Sequence, residues 1–220
     1  MLKRYAMAIV LTLFSVIPSV AGDSNDFAET KKRAEQGDVG VQESLCGMFY
    51  FGKNVPQNYE EALKWCTKAA EQGNSFSQGA LGVMYQNGHG VSENYKEALK
   101  WYTKAAEQGD VFSQFSLGWT YETGRGTSQN YQEAIKWYTK ASLQGYVMAQ
   151  FNLGLMHAKG DGVPQSDEQA YIWASLAAAQ SGKTEVRDLI AKKLTPEQLI
   201  AAQQRAAELQ KQIAAKAKNP

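Results

Sequence analysis

The chain has 220 residues, of which 44% are hydrophobic and 20% charged, and its formal net charge is +1. A balanced charge with 11% aromatic residues excludes wholesale disorder and argues against general nucleic-acid binding, which needs a concentrated basic surface. Two cysteines are too few for a disulfide scaffold or a structural zinc site. Nineteen glycines stand among many helix formers. Because glycine costs about 1 kcal/mol relative to alanine inside a helix, we expect them at special positions.

The N-terminus carries the pattern of a secretory signal. Lys3 and Arg4 precede an apolar run over residues 6–17, and small residues follow up to Ala21. This run is shorter than the roughly 20 residues of a spanning helix, although an uncleaved membrane anchor is the alternative. We therefore predict a signal peptide over residues 1–21 and a periplasmic or secreted mature protein without stable membrane insertion.

A 36-residue period organises the rest of the chain. Three residue types recur at this step in separate columns: Trp65, Trp101, Trp137 and Trp173; Leu45, Leu81, Leu117 and Leu153; Ala62, Ala98, Ala134 and Ala170. Several columns with one common step indicate a repeat protein. The predicted boundaries are a half-repeat helix over 22–37, followed by four repeats at about 38–73, 74–109, 110–145 and 146–182.

Each repeat predicts a hairpin of two helices. The second repeat has a helical stretch from Ser75 to Asn87, a glycine loop, and a second helix from about Asn94 to Gln108. Gly109 follows as the expected left-handed cap. A single hairpin cannot bury its apolar faces, whereas stacked hairpins can. The predicted fold class is therefore all-α, a right-handed α-solenoid.

The segment ALGVMYQNGHGV…NYKEALKWYTKAAEQG and its copies closely resemble the Sel1-like repeat (SLR) family, relatives of the tetratricopeptide repeats. The resemblance covers about residues 37–182, with local departures such as Asn54 in the column of Gly90. It implies a scaffold or adaptor role, and exported bacterial members are linked to envelope processes and host interaction.

The C-terminal segment predicts capping helices and a tail over 183–220. Thr195 and Gln198 form a capping-box start with a first-turn proline between them. Apolar residues then follow on one helical face: Leu199, Ala202, Ala206, Leu209 and Ile213. This face is expected to close the end of the solenoid.

Motifs for catalysis, metals or cofactors are absent from the sequence. It contains no HExxH, GxSxG, CxxC or calcium-loop pattern. His89 lies in a glycine loop and His157 replaces a repeated tyrosine, so structural or solvated roles outweigh catalysis for both. We therefore predict no enzyme activity, no cofactor and no metal site.

Cys46 and Cys66 lie on the two predicted helices of the first hairpin, about equally far from its turn. Antiparallel helices would bring them to a similar height on the contact face. A disulfide between them is therefore a reasonable hypothesis, and two buried thiols are the alternative.

A second apolar stripe on the first helices is the best candidate for a binding surface. In the third repeat, Phe112, Phe115 and Trp119 are spaced three and four residues apart. Apolar and polar residues extend and flank this stripe in the neighbouring repeats: Phe76, Val83, Met148, Phe151 and Leu155; Gln86, Asn87, Glu122 and Lys159. In solenoids of this type the first helices line the concave surface, so the stripe predicts an aromatic groove. Packing between repeats is the alternative interpretation.

These observations favour a non-enzymatic protein–protein interaction scaffold or adaptor of the bacterial envelope. We expect a monomer that binds a protein or peptide segment in its concave groove and does not bind nucleic acid. The alternative is a cell-wall or carbohydrate-binding protein, because aromatic faces also stack on sugars. β-Lactam binding or hydrolase activity is much less favoured, since the regular cysteine pairs of such relatives are absent.

Overall fold

The computed structural model describes residues 24–218, and the predicted signal peptide lies outside the described residues. All regular secondary structure in this part of the chain is helical, as predicted. Its eleven helices are α1 (Ser24–Glu35), α2 (Val39–Phe51), α3 (Tyr59–Glu71), α4 (Ser75–Asn87), α5 (Tyr95–Glu107), α6 (Val111–Thr123), α7 (Tyr131–Leu143), α8 (Val147–Lys159), α9 (Asp167–Ser181), α10 (Glu185–Ala191) and α11 (Pro196–Lys218). From α2 to α9, first and second helices alternate and each kind begins every 36 residues.

The described residues fall into two compact units that divide between Asn94 and Tyr95. In the first unit α1 packs on α2, α2 on α3 and α3 on α4. In the second unit each helix from α5 to α9 packs on the next, and α9 also contacts α10 and α11. Helices that pack in chain order at a fixed repeat are the architecture of the predicted α-solenoid class.

The repeated columns form the core, because each places the same side chain at the same helix contact. Leu117 on α6 and Leu153 on α8 are at most 1% exposed, and Ala134 on α7 is fully buried. Gly118 shows why a residue without a Cβ recurs beside the leucine column. A Cβ there would lie 2.6 Å from Cδ1 of Tyr138, so glycine lets the aromatic ring of the partner helix approach.

Side-chain caps begin several of the repeat helices. Asp38, Asn74 and Asp110 accept hydrogen bonds from backbone amides at the starts of α2, α4 and α6. Asn130 does the same at the start of α7. These caps satisfy amides that lack partners within the helix, so they fix where each helix starts.

Glutamine pairs join consecutive hairpins. Gln114, 5% exposed on α6, donates from Nε2 to the Ala106 carbonyl of α5 at 3.2 Å. Its Oε1 accepts from Nε2 of Gln144 at 2.8 Å, and Gln144 also donates to the Gly109 carbonyl at 2.9 Å. Equivalent pairs recur at the repeat step: Gln42 with Gln72, and Gln150 with Gln180. They add a side-chain hydrogen bond to helix-end carbonyls that also accept from a backbone amide, as the Ala106 carbonyl does from Gly109.

The C-terminal helix α11 packs on α9 with its predicted apolar face. Ala202 and Ala206 are buried in a cluster with Ile172 of α9. Thr195 and Gln198 exchange the two hydrogen bonds of the predicted capping box, at 3.0 and 3.3 Å. The box starts α11 where its apolar residues meet α9.

Candidate partner-binding surface

The loop after α6 is seated directly on the hairpin before it. Gly124 and Gly126 have φ values of 70° and 79°, in the left-handed region that favours glycine. A Cβ on Gly126 would lie 2.5 Å from the backbone oxygen of Tyr95, at the start of α5. Only glycine at position 126 therefore allows the loop to approach the first turn of α5 this closely.

Arg125, between these two glycines, lies against two aromatic rings. Its guanidinium carbon is 5.4 Å from the ring centre of Tyr95 and 5.2 Å from that of Trp119. Nη1 donates to the Tyr95 hydroxyl at 3.0 Å. The side chain is exposed, yet one hydrogen bond and two cation–π contacts hold it in place.

The first unit holds a related arrangement one repeat earlier. The ring of His89 stacks on Tyr59 with 4.4 Å between the ring centres and 7° between the planes. His89 Nδ1 is hydrogen-bonded to the hydroxyl of Tyr50 at 3.0 Å. Burial raises the pKa of Tyr50, which keeps that hydroxyl protonated. A tyrosine at the start of a second helix thus supports the loop side chain in both units.

The residues of the predicted aromatic stripe on α6 differ in how deeply their side chains are buried. Phe112 is 8% exposed and its ring lies 6.3 Å from that of Tyr102, so it belongs to the core. Val83 on α4 is only 5% exposed. Both were predicted on the binding surface, and burial of their side chains corrects that assignment. A single helix face spans buried and exposed depths, which periodicity alone does not separate.

Phe115 is half-buried and contacts the next hairpin of the second unit. Its ring centre lies 5.0 Å from that of Tyr146, at the start of the next hairpin, and 5.6 Å from that of Tyr138 on α7 of its own hairpin. Packing between repeats, the alternative that the sequence left open, therefore accounts for part of this side chain. Trp119, one turn further along α6, is also half-buried and packs beside the same core cluster.

Glu122 lies beside these aromatics, and its Oε2 accepts from the Tyr138 hydroxyl at 2.6 Å. Burial raises the pKa of Tyr138, and the Glu122 carboxylate raises it further. The tyrosine therefore stays protonated and donates to the carboxylate. This bond ties the C-terminal turn of α6 to α7.

The remaining predicted surface residues are placed separately in the two units. Phe76, Gln86 and Asn87 are half-buried on α4, in the first unit. On α8, in the second unit, three residues are half-buried and one is exposed: Met148, Phe151 and Leu155; Lys159. The second unit thus holds both the α6 stripe and the matching positions of α8.

Cys46 on α2 and Cys66 on α3 are joined by a disulfide, with their Cα atoms 4.9 Å apart. Both residues are at most 1% exposed. The bond closes a sequence separation of 20 residues and links the two helices of the first hairpin.

Neither His157 nor the metal-binding residue types define a further candidate site within residues 24–218. Burial lowers the pKa of the half-buried His157, which favours its neutral form. No group of three or more histidine, cysteine or acidic residues in residues 24–218 is arranged to hold a metal ion. None of the described helices is long and apolar enough to span a membrane.

Tyr95 and Arg125 were not predicted as site residues. The sequence did contain a signal for both residues. Tyrosine recurs at positions 59, 95 and 131, and the residue between the two loop glycines differs from repeat to repeat. That a tyrosine of one repeat lies under the loop of the next is a property of the stacking, so it becomes visible only in the fold.

The fold and the repeated contacts define a helical-repeat protein of the α-solenoid class. The Sel1 repeat profile matches residues 42–74, 75–110, 111–146 and 147–182, which is more than half of the chain. The chain therefore belongs to the Sel1 repeat family. Proteins of this family are generally protein–protein interaction scaffolds rather than enzymes.

Two solved structures show the same relationship. The chain is 33% identical to c5321, a protective antigen of uropathogenic Escherichia coli with an SLR fold, with a TM-score of 0.78. The match covers 89% of this chain but only 44% of that protein. A Sel1 repeat protein from Oxalobacter formigenes is 29% identical, with a TM-score of 0.70, over 84% of this chain and 79% of that one. No curated protein matches the chain at a significant level.

Proposed function

We propose that this protein is an adaptor of the bacterial envelope that binds a segment of a partner protein on the face formed by α6 and α8. Family membership supports the class of function, and the predicted secretory signal supports the compartment. The observation that carries the binding face is the position of Trp119. Its half-buried ring lies beside an ordered, exposed arginine.

The other tryptophans have a structural explanation that Trp119 lacks. Trp65, Trp101, Trp137 and Trp173 share the repeat column and are at most 9% exposed. Trp119 lies outside this column, and the equivalent positions of the repeats before and after it hold Val83 and Leu155. A tryptophan that the repeat does not require, and that keeps an accessible part, is the type of residue that anchors protein partners.

The variant that tests this proposal is Trp119→Ala. A double change that included Phe115 would also disturb the packing on Tyr138 and Tyr146, so it would confuse binding with folding. Leu189→Ala is the matched control, because Leu189 is a large apolar side chain that is 62% exposed on α10. Circular dichroism of each variant checks that the helical fold is retained.

Binding is measured by photo-crosslinking in bacterial envelope extract. A photo-reactive amino acid replaces Thr123, which is exposed four residues after Trp119, or Lys100 on α5 as a control position. We expect a protein crosslink from position 123 that Trp119→Ala removes and Leu189→Ala retains. Crosslinks that persist in Trp119→Ala would refute the binding face. Trp119-dependent sedimentation with purified peptidoglycan, without a protein crosslink, would replace the proposal with the carbohydrate-binding alternative.

A further inference from the structure

We infer that Arg125 and Trp119 together recognise a carboxylate side chain, so that the bound partner segment carries an aspartate or glutamate at this point. The inference rests on the proposed function and specifies the chemistry of the partner. Its evidence is the charge, the contacts and the backbone of the Arg125 loop.

Arg125 is charged and forms no ion pair with a carboxylate within residues 24–218. Within the described residues, three other arginines form ion pairs with carboxylates: Arg33, Arg187 and Arg205. Arg125 forms none there, and its hydrogen bond goes to a neutral tyrosine hydroxyl. An arginine is always charged at physiological pH and has five N–H donors in a planar fork. One donor is used by Tyr95, which leaves others for a carboxylate.

The acidic residue nearest in sequence does not neutralise this arginine. Glu122, in the last turn of α6, precedes the loop residue Arg125 by three positions, but its carboxylate accepts from Tyr138 at 2.6 Å. No ion pair between Glu122 and Arg125 is present among the described contacts. A carboxylate from a partner would therefore meet the guanidinium without displacing an internal one.

The arginine is also held in position before any partner arrives. The loop glycines lie in the left-handed region, and Gly126 rests on the backbone of Tyr95. The rings of Tyr95 and Trp119 restrain the guanidinium. Because less side-chain freedom remains to be lost, binding costs less entropy than at an unrestrained surface arginine.

The geometry favours an acidic peptide over a phosphate-rich partner. A single arginine beside an indole ring offers a bidentate contact for one carboxylate and an apolar surface for the methylene groups that carry it. Polyanions such as nucleic acids are bound by several cations together. The second unit presents one ordered guanidinium at this point, which fits a single carboxylate.

A peptide-display experiment tests the inference with the full chain. A library of random dodecapeptides is selected on the wild-type protein and, separately, on Arg125→Gln, Trp119→Ala and the control Arg205→Gln. We expect Asp or Glu to be enriched in the wild-type and Arg205→Gln selections and not with Arg125→Gln. Peptides that bind independently of Trp119 would overturn the proposed function itself, and this inference with it.

A double-mutant cycle then isolates the charge contact. In a selected peptide, changing the acidic residue to its amide should weaken binding to the wild type about 10-fold and leave binding to Arg125→Gln almost unchanged. The difference should shrink as salt is added, because salt screens an exposed charge pair. Trp119-dependent peptides without acidic enrichment, or an equal loss with both proteins, would overturn this inference while leaving the proposed function intact.

Discussion

Substitution of Gly126 tests how closely the loop of one hairpin is seated on the preceding one. Gly126 and Gly109 both have left-handed backbones, with φ of 79° and 95°. They differ in their surroundings. A Cβ on Gly126 would lie 2.5 Å from the backbone oxygen of Tyr95, whereas a Cβ on Gly109 would meet nothing within 4 Å. Gly109→Ala therefore imposes only backbone strain, and Gly126→Ala imposes strain and a collision with backbone atoms.

The two contributions have known sizes. An L-residue in the left-handed region costs about 1–2 kcal/mol, and overfilling a packed contact adds about 1–3 kcal/mol. We expect Gly109→Ala to lower the free energy of unfolding by about 1–2 kcal/mol and Gly126→Ala by about 2–5 kcal/mol. Gly126→Asn should cost at least as much as the collision alone, because asparagine tolerates this backbone, as Asn54 does with φ of 65° in the same repeat column, but carries the same Cβ against Tyr95.

Urea unfolding followed by circular dichroism at 222 nm measures these changes. Hydrogen exchange adds a local readout, because a displaced loop should lower the protection of amides in the first turn of α5. The reasoning fails if Gly126→Ala costs no more than Gly109→Ala, or if the protection of α5 is unchanged. Either result would mean that the loop does not rest on Tyr95.

Four further predictions concern two caps, the glutamine pairs and the disulfide. Asp110→Asn should raise the free energy of unfolding at neutral pH, because burial raises the pKa of Asp110, and this gain should shrink as pH falls through that raised pKa. Asp38→Asn should lower the free energy of unfolding at neutral pH in the same urea titrations, since the hydrogen bond from Arg33 lowers the pKa of Asp38. The stabilisation that the ionised Asp38 provides is lost only as pH falls through this lowered pKa. Gln114→Ala should cost about 1–3 kcal/mol in urea unfolding, because it removes two hydrogen bonds of about 0.5–1.5 kcal/mol each, the one to the Ala106 carbonyl and the one from Gln144. A change of only a few tenths of a kcal/mol would contradict the role of the pair. Mass spectrometry after alkylation without reduction should find no free thiol at Cys46 or Cys66, and reduction should lower stability by about 3 kcal/mol for this 20-residue separation; two alkylated thiols would disprove the bond.

The repeat architecture could be predicted from sequence because its signals are local. Helical spacing and glycine punctuation place the helices, and the predicted stretch from Ser75 to Asn87 coincides with α4. The second helix of that repeat, expected from about Asn94 to Gln108, is observed as Tyr95–Glu107. Gly109 has the predicted left-handed backbone. Each of these features depends on residues within one hairpin.

The candidate site was less predictable because it depends on distances between hairpins. Spacing puts Phe112, Phe115 and Trp119 on one helix face, but only packing shows that the first is core and the others are half-buried. Likewise, Arg125 follows Tyr95 by 30 residues, and nothing in the local sequence links them. The contact arises because one hairpin stacks on the preceding one.

The loop column suggests how such a repeat separates stability from recognition. The glycines that flank this column fix the backbone of the loop, and Gly126 and Gly162 each approach a tyrosine at the start of the preceding second helix. The side chain between them changes from repeat to repeat: Lys53, His89, Arg125 and Asp161. The contacts of these glycines do not depend on the side chain between them. A change of that side chain therefore alters the charge of the loop without altering how the loop packs on the preceding hairpin. Each hairpin can therefore carry a different side chain for recognition on the same loop backbone. In the third repeat this side chain is Arg125, which lies beside Trp119, the tryptophan outside the repeat column.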